Sequence, residues 1–162
     1  GNPTTRMFEE RIAALEGTED AFATASGMAA VNGALVSMLR AGDHVVSSKA
    51  LFGSCLYILE EVLTRYGVHV TFVDGADLAQ WRAAVTSATK AVFFESMSNP
   101  TLELVDITEV AKIAHAVGAL VIVDWACRDA RRGLDRPGAA GHRVHFERRT
   151  RARHRCSAHP SR

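Results

Sequence analysis

The residues with the clearest chemical potential stand where apolar segments end or helices begin. Ser26, Gly27 and Met28 lie at the predicted start of a helix, where free backbone N–H groups and the helix dipole favour an anion. Gly27 lets the backbone approach the anion closely, and the Ser26 hydroxyl can donate a hydrogen bond. The alternative is that this Ser-Gly pair only caps the helix.

Asp124 follows the apolar run 121–123. A charge at the end of a buried strand is costly unless it is paired. One use is to hold the protonated nitrogen of a heterocyclic cofactor that acts as an electron sink. Metal binding is a second use, although no cluster of His, Asp and Glu in the sequence supports it. A carboxylate that caps the following loop is the third interpretation.

Two further residues offer contacts to a flat polar ligand. Asn99 carries a donor and an acceptor in a loop that Pro100 makes rigid. Phe52 follows the apolar pair at 45–46 and can stack on a ring. Turn formation explains Asn99 equally well, and an aromatic residue at the position of Phe52 is more often part of a core.

The elements that position these residues alternate between helix and strand as far as Asp124. The predicted helices are 4–15 (capped by Thr4 or Thr5), 28–39, 54–66, 78–85 and 106–117, and the predicted strands are 21–25, 44–47, 68–73, 91–95 and 120–123. Strands that are apolar on both faces and separated by helices imply an α/β fold, a mostly parallel sheet with helices on both faces. Because ligands bind beyond the carboxyl ends of such strands, Glu95, Asp124 and the Ser26-Gly27 pair are expected to converge on one crevice.

Charge divides the chain near residue 125. Residues 1–124 carry eight basic and fifteen acidic residues, whereas 125–162 carry eleven arginines, no lysine and three acidic residues. We therefore expect an α/β domain at 1–124 and an Arg-rich tail without regular periodicity at 125–162. The tail is interpreted as a disordered basic segment; nucleic-acid binding is the less favoured alternative, because Phe146 is its only aromatic residue after Trp125.

Composition places the chain among globular proteins. It is 48% hydrophobic and 23% charged, and no apolar run approaches the roughly 20 residues that span a bilayer. We expect no membrane association, no signal peptide and a cytoplasmic location. Cys55, Cys127 and Cys156 match no metal spacing and are expected to be free thiols.

Taken in order, these segments closely resemble the trans-sulfuration enzymes of cysteine and methionine metabolism, most of all their O-succinylhomoserine sulfhydrylase branch. The matching segments are Gly1-Asn2-Pro3-Thr4, Leu15-Glu16-Gly17, Ala25-Ser26-Gly27-Met28-Ala29-Ala30, Gly42-Asp43-His44-Val45, Leu51-Phe52-Gly53-Ser54, Phe94-Glu95-Ser96-Met97-Ser98-Asn99-Pro100-Thr101 and Val121-Ile122-Val123-Asp124. The resemblance covers 1–124 and implies part of the large domain of a fold-type I pyridoxal-phosphate transferase.

The resemblance implies a role for each candidate residue. The amides of Gly27 and Met28, with Ser26, would hold the phosphate of pyridoxal 5'-phosphate, and Phe52 would stack on its ring in place of the usual tyrosine. Asn99 would contact the phenolic oxygen and the substrate carboxylate, and Asp124 would pair with the pyridinium nitrogen. The implied reaction is γ-replacement, in which sulfide displaces succinate from O-succinylhomoserine to give homocysteine; a cystathionine γ-synthase or γ-lyase type of activity is the alternative. Relatives are tetramers with shared sites, so a homo-oligomer is implied.

The departures from the family pattern concern the chemistry itself. Relatives follow the aspartate with Asn or Thr and later with a Schiff-base lysine, but Trp125 follows here and no lysine occurs after Lys112. The Tyr-x-Arg that relatives place before Asn-Pro-Thr, where it reaches a neighbouring subunit's phosphate, is also missing. We expect a fragment incomplete at both ends, with a frameshift behind the Arg-rich tail and no meaningful turnover. A non-functional truncated product is the third interpretation.

Overall fold

The computed structural model describes residues 2–125 and the backbone of 144–147. The helices are α1 Pro3–Glu16, α2 Gly27–Met38, α3 Gly53–Tyr57 with a π-helical continuation Ile58–Leu63, α4 Leu78–Ala84 and α5 Ile107–Ala116. The strands are β1 His44–Ser48, β2 His69–Val73, β3 Thr89–Glu95, β4 Leu120–Asp124 and β5 Val144–Glu147.

The strands form one sheet in the order β2-β1-β3-β4-β5. The first four are parallel, and β5 pairs antiparallel with β4. The prediction of a mostly parallel α/β sheet is confirmed. The prediction that regular structure stops after Asp124 is wrong for Val144–Glu147, whose Val-His-Phe-Glu sequence has the apolar–polar alternation of a strand.

Helices cover both faces of the sheet, because alternate strand residues enter two separate cores. On one face Phe93 and Ile122 pack with Val31 and Leu35 of α2 and with the α3 segment. On the other face Val92, Phe94, Val121 and Val123 pack with Trp81 of α4 and Val110 of α5. The sheet is therefore buried on both sides, as its continuous apolar strands require.

Two local predictions are wrong. Residues 21–25 form no strand, since the N–H groups of Ala21 and Ala23 donate to the carboxylates of Asp20 and Glu9 rather than to a neighbouring strand. The cap of α1 is Asn2, whose side chain accepts from the N–H of Thr4, and Pro3 occupies the first helical position.

The remaining expectations about the whole chain are covered only in part. None of the helices in the described residues combines the length and apolar character needed to cross a bilayer. Cys55 is a buried free thiol, while Cys127 and Cys156 lie outside the described residues, as does most of the Arg-rich segment 125–162.

Candidate functional site

Two carboxylates end neighbouring strands at the same edge of the sheet. Glu95 closes β3 and Asp124 closes β4, and the two residues are register partners. By the alternation of side chains, both project onto the face that carries Phe93 and Ile122, which α2 and α3 cover. Glu95 is 1% exposed and Asp124 is 0% exposed. The sequence predicted that Glu95, Asp124 and the Ser26-Gly27 pair converge on one crevice, and the part that places Glu95 beside Asp124 is confirmed.

Asp124 contacts a thiol from the first turn of α3. The Sγ of Cys55 donates to Oδ2 of Asp124 at 3.6 Å, and both residues are fully buried. Burial raises the pKa of the Cys55 thiol, and the nearby charges of Asp124 and Glu95 raise it further. The thiol therefore stays protonated and serves as a hydrogen-bond donor.

Glu95 accepts hydrogen bonds from two loops. Its Oε1 accepts from the N–H of Phe52 at 2.6 Å, and its Oε2 accepts from the N–H of Asn99 at 3.1 Å. Phe52 precedes α3, and Asn99 lies four residues beyond Glu95 itself. One carboxylate thus fixes the backbone at both predicted ring-contact residues.

The loop that carries Asn99 is closed by its own hydrogen bonds. The N–H of Ser98 donates to the carbonyl of Glu103 at 3.0 Å, and the N–H of Glu103 donates to Oγ of Ser98 at 2.9 Å. Leu102 also donates its N–H to the carbonyl of Ser98 at 2.9 Å. Asn99 itself is exposed at the tip, so its side chain is presented outward from a fixed backbone.

Ser26, Gly27 and Met28 form the start of α2. Ser26 is the cap, and its Oγ accepts from the N–H of Ala29 at 3.2 Å. The capping interpretation is therefore correct for the Ser26 oxygen. The N–H groups of Gly27 and Met28 belong to the first turn, which has no intrahelical acceptor for them. Both roles, cap and anion site, are compatible at this helix start.

The direction of α2 brings its start to the edge where β3 and β4 end. The helix finishes at Met38 and a short turn leads to His44, the amino end of β1, so α2 runs antiparallel to the strands. Its first turn therefore lies toward the carboxyl ends of the strands. Met28 packs against the same core cluster as Cys55 and Ile122, and α2 contacts α3.

The site consequently has two parts. We call Cys55, Glu95 and Asp124 the carboxylate end, and Ser26, Gly27 and Met28 the helix-start end. Phe52, 39% exposed, and Asn99 are joined to the carboxylate end through Glu95. Their exposure contradicts the alternative that Phe52 is an ordinary core residue.

The donor set of the carboxylate end suits a cation. The ligand atoms of Cys55, Glu95 and Asp124 all lie within 4.8 Å of one another. A protonated ring nitrogen would be attracted by this concentration of carboxylate oxygens, while the helix start offers N–H groups to an anion. By the chemistry of their donors, the carboxylate end suits a protonated heterocycle and the helix-start end suits a phosphate.

Sequence reasoning missed Cys55. Its position could have indicated a role. Cys55 lies three residues after Phe52, in the first turn of the helix that follows β1, and is buried against the sheet. The spacing between cysteines could not reveal this role, because the partners of Cys55 are the carboxylates of Asp124 and Glu95.

The three lysines of the chain are exposed, and two of them are paired with carboxylates. Lys49 pairs with Asp74 at 3.1 Å, and Lys112 on α5 pairs with Glu109 at 2.6 Å. Lys90 is exposed near the amino end of β3, opposite the edge where Glu95 ends the strand.

Known proteins carry the same fold and the same sequence pattern. The profile of the family described as Cys/Met metabolism PLP-dependent enzyme, where PLP is pyridoxal phosphate, matches residues 1–128. The chain is 54% identical over 124 residues to the O-succinylhomoserine sulfhydrylase of Mycobacterium tuberculosis, covering 76% of this chain and 30% of that protein.

Two solved structures are similar in fold as well as in sequence. Cystathionine gamma-lyase from Lactobacillus plantarum, in complex with L-serine, is 40% identical with a TM-score of 0.74, over 78% of this chain and 33% of that one. A putative O-acetylhomoserine (thiol)-lyase from Campylobacter jejuni, with pyridoxyl-lysine phosphate, is 33% identical with a TM-score of 0.74, over 77% and 31%.

The chain belongs to the Cys/Met metabolism family of pyridoxal-phosphate-dependent enzymes. It spans about 30% of the length of the sulfhydrylase that it matches. The predicted family is thereby confirmed.

Proposed function

We propose that this chain is the cofactor-binding part of a pyridoxal-phosphate enzyme that performs γ-replacement on O-succinylhomoserine with sulfide, giving homocysteine. The 54% identity to a sulfhydrylase of that substrate supports this choice. The observation that carries the proposal is Asp124, a fully buried carboxylate at a strand end, on the sheet face that the start of α2 covers.

Each candidate residue has a separate task in this proposal. Asp124 pairs with the pyridinium nitrogen, and its burial keeps water from competing for that charge. The N–H groups of Gly27 and Met28 hold the phosphate, while Ser26 caps their helix. Phe52 stacks on the ring, and Asn99 orients the ring oxygen and the substrate carboxylate.

The bound cofactor supplies an electron sink for bond cleavage at the amino-acid substrate. This chain supplies the cation partner, the phosphate cradle and the ring contacts, but no lysine in the catalytic position. Without that amine there is no general base to move protons at the substrate. We therefore propose that this polypeptide binds the cofactor and has no meaningful turnover by itself.

A titration with pyridoxamine phosphate tests the cofactor assignment. This probe carries the phosphate and the protonatable ring but requires no lysine. The Asp124→Asn variant keeps the shape and loses the charge, so we expect its affinity to fall about tenfold or more. The matched control is Asp106→Asn at the exposed cap of α5, which should change the affinity less than about twofold. Equal affinity in wild type and Asp124→Asn would contradict the proposal.

A cystathionine γ-synthase or γ-lyase activity is the second candidate for the whole protein. The similarity to the Lactobacillus plantarum enzyme favours it. A full-length protein with this sequence at 1–124 and a complete catalytic domain would decide between them. Homocysteine formed from O-succinylhomoserine and sulfide supports the sulfhydrylase. Cystathionine formed from O-succinylhomoserine and cysteine supports the γ-synthase, and cysteine, 2-oxobutyrate and ammonia released from cystathionine support the γ-lyase.

We also propose that the whole protein forms a cytoplasmic homo-oligomer that takes a small amino-acid substrate and binds no nucleic acid. Size measurement by light scattering tests the oligomer. The Arg-rich segment 125–162 is proposed to be a product of a shifted reading frame rather than a binding module. DNA sequencing across these codons tests this directly, and salt-sensitive affinity for nucleic acid would argue for the binding module instead.

A further inference from the structure

The Glu95 carboxylate joins the two loops that carry Phe52 and Asn99. These residues are 47 positions apart, yet both backbone N–H groups donate to the same side chain, at 2.6 Å and 3.1 Å. Glu95 is 1% exposed and is anchored in the sheet as the last residue of β3. The side chain of Glu95, held at the end of β3, thus sets the separation of the two loops that carry Phe52 and Asn99.

The Glu95 side chain suits this task because it offers one oxygen to each loop. Each oxygen accepts from a different N–H group, and a glutamine side chain has one acceptor oxygen and one donor nitrogen. Hydrogen bonds to a charged acceptor are also the stronger kind. Among the described residues, Asp124 on β4 and Cys55 on α3 also lie beside Glu95, and the two loop amides donate to its carboxylate.

We propose that Glu95 is a positioning residue of the cofactor site, which sets Phe52 and Asn99 at the spacing that grips the ring. The inference rests on the proposed cofactor function and adds a residue to which that proposal gives no task. The two neighbouring carboxylates have different roles: Glu95 positions the two loops, and Asp124 pairs with the cation.

The full chain with Glu95→Gln separates this role from simple packing, because the variant preserves volume and removes one acceptor. Glu9→Gln is the matched control. Glu9 is also a buried glutamate, 9% exposed, and its Oε1 accepts from the N–H of Ala23 at 2.8 Å, away from the sheet edge. Any general cost of losing a carboxylate bonded to the backbone should be visible in both variants.

Pyridoxamine phosphate titration is combined with amide NMR of Phe52 and Asn99. We expect Glu95→Gln to weaken binding about tenfold or more and to shift both amide proton resonances upfield. We expect Glu9→Gln to change binding less than about twofold and to move only the amide of Ala23 and its neighbours.

Wild-type affinity in Glu95→Gln would overturn the inference, even with the proposed function intact. An equal loss of affinity in Glu95→Gln and Glu9→Gln would also overturn the inference. If the wild-type chain itself failed to bind the probe, the proposed function and this inference would fall together. An intact wild-type titration with a selective loss in Glu95→Gln supports both.

Discussion

The carboxylate end of the site is buried among side chains from β3, β4 and α3, whereas the helix-start end is an exposed or half-buried first turn of α2. At the first, Glu95 and Asp124 have neighbours from several elements, which fix their positions. At the second, the contacts that shape the turn are local: the Ser26 side chain caps it, and Oγ1 of Thr24 donates to the carbonyl of Ser26. The comparison teaches that the cation end is set by the tertiary fold and the anion end by local backbone geometry.

The largest effect is expected when the carboxylate end loses a side chain. Glu95→Ala leaves the part-buried N–H groups of Phe52 and Asn99 without their acceptor, so we expect the free energy of unfolding to fall by about 3 kcal/mol. Urea denaturation measures this. Glu9→Ala, which frees the single N–H of Ala23, should cost about 1 kcal/mol. A cost at Glu95 no greater than at Glu9 would erase the difference between the two ends.

The helix-start end should respond in binding rather than in stability. Ser26→Asp retains a good cap, because aspartate caps helices as well as serine does, but it places a negative charge where the phosphate is proposed to bind. We expect the free energy of unfolding to change by less than about 0.5 kcal/mol and pyridoxamine phosphate affinity to fall about tenfold.

Asn2→Asp is the control for that charge. It adds the same charge at the cap of α1, which the structure does not associate with the site. Its affinity for the probe should stay near that of wild type. Equal losses in Ser26→Asp and Asn2→Asp would show a general charge effect and remove the phosphate role of α2.

The Cys55 thiol reports whether the carboxylate end is closed. Burial and the adjacent carboxylates raise its pKa, so the reactive thiolate is scarce. In a Cys127→Ser, Cys156→Ser background, we expect Cys55 to react with a disulfide reagent about 100-fold more slowly in the folded chain than in urea. Reaction at the same rate in both states would show that the cluster opens to solvent.

A smaller effect is expected at the opposite edge of the sheet. His44 begins β1, and burial, with the neighbouring His69, lowers its pKa below 6.5. The unfolded chain therefore binds the proton more readily, so stability should fall as the pH drops below 6.5 and recover above it. His44→Gln should flatten this slope in thermal unfolding measured between about pH 5 and 7, and an unchanged slope would contradict the assignment.

The sequence was sufficient for the elements whose pattern is local. Sequence periodicity predicts apolar strands such as 91–95 and 120–123, and the acidic residue Asp106 predicts a helix cap. Both signals depend only on neighbouring residues. The 21–25 segment was misassigned, since the distant carboxylate of Glu9 takes one of its N–H groups.

The candidate site was predictable only in outline. Strand-end positions indicated Glu95 and Asp124, and the resemblance supplied roles for Phe52 and Asn99. The Glu95 bridge to Phe52 spans 43 residues, and the contact of Cys55 with Asp124 spans 69. Such pairings arise from the order of strands in the sheet, which no spacing within the sequence encodes.

Amide NMR of the full chain during pyridoxamine phosphate titration tests the central claim most directly. The account predicts that the resonances of Gly27, Met28, Phe52 and Asp124 move together along one saturable curve. Movement confined to other residues, or no saturable movement at both Met28 and Asp124, would contradict it.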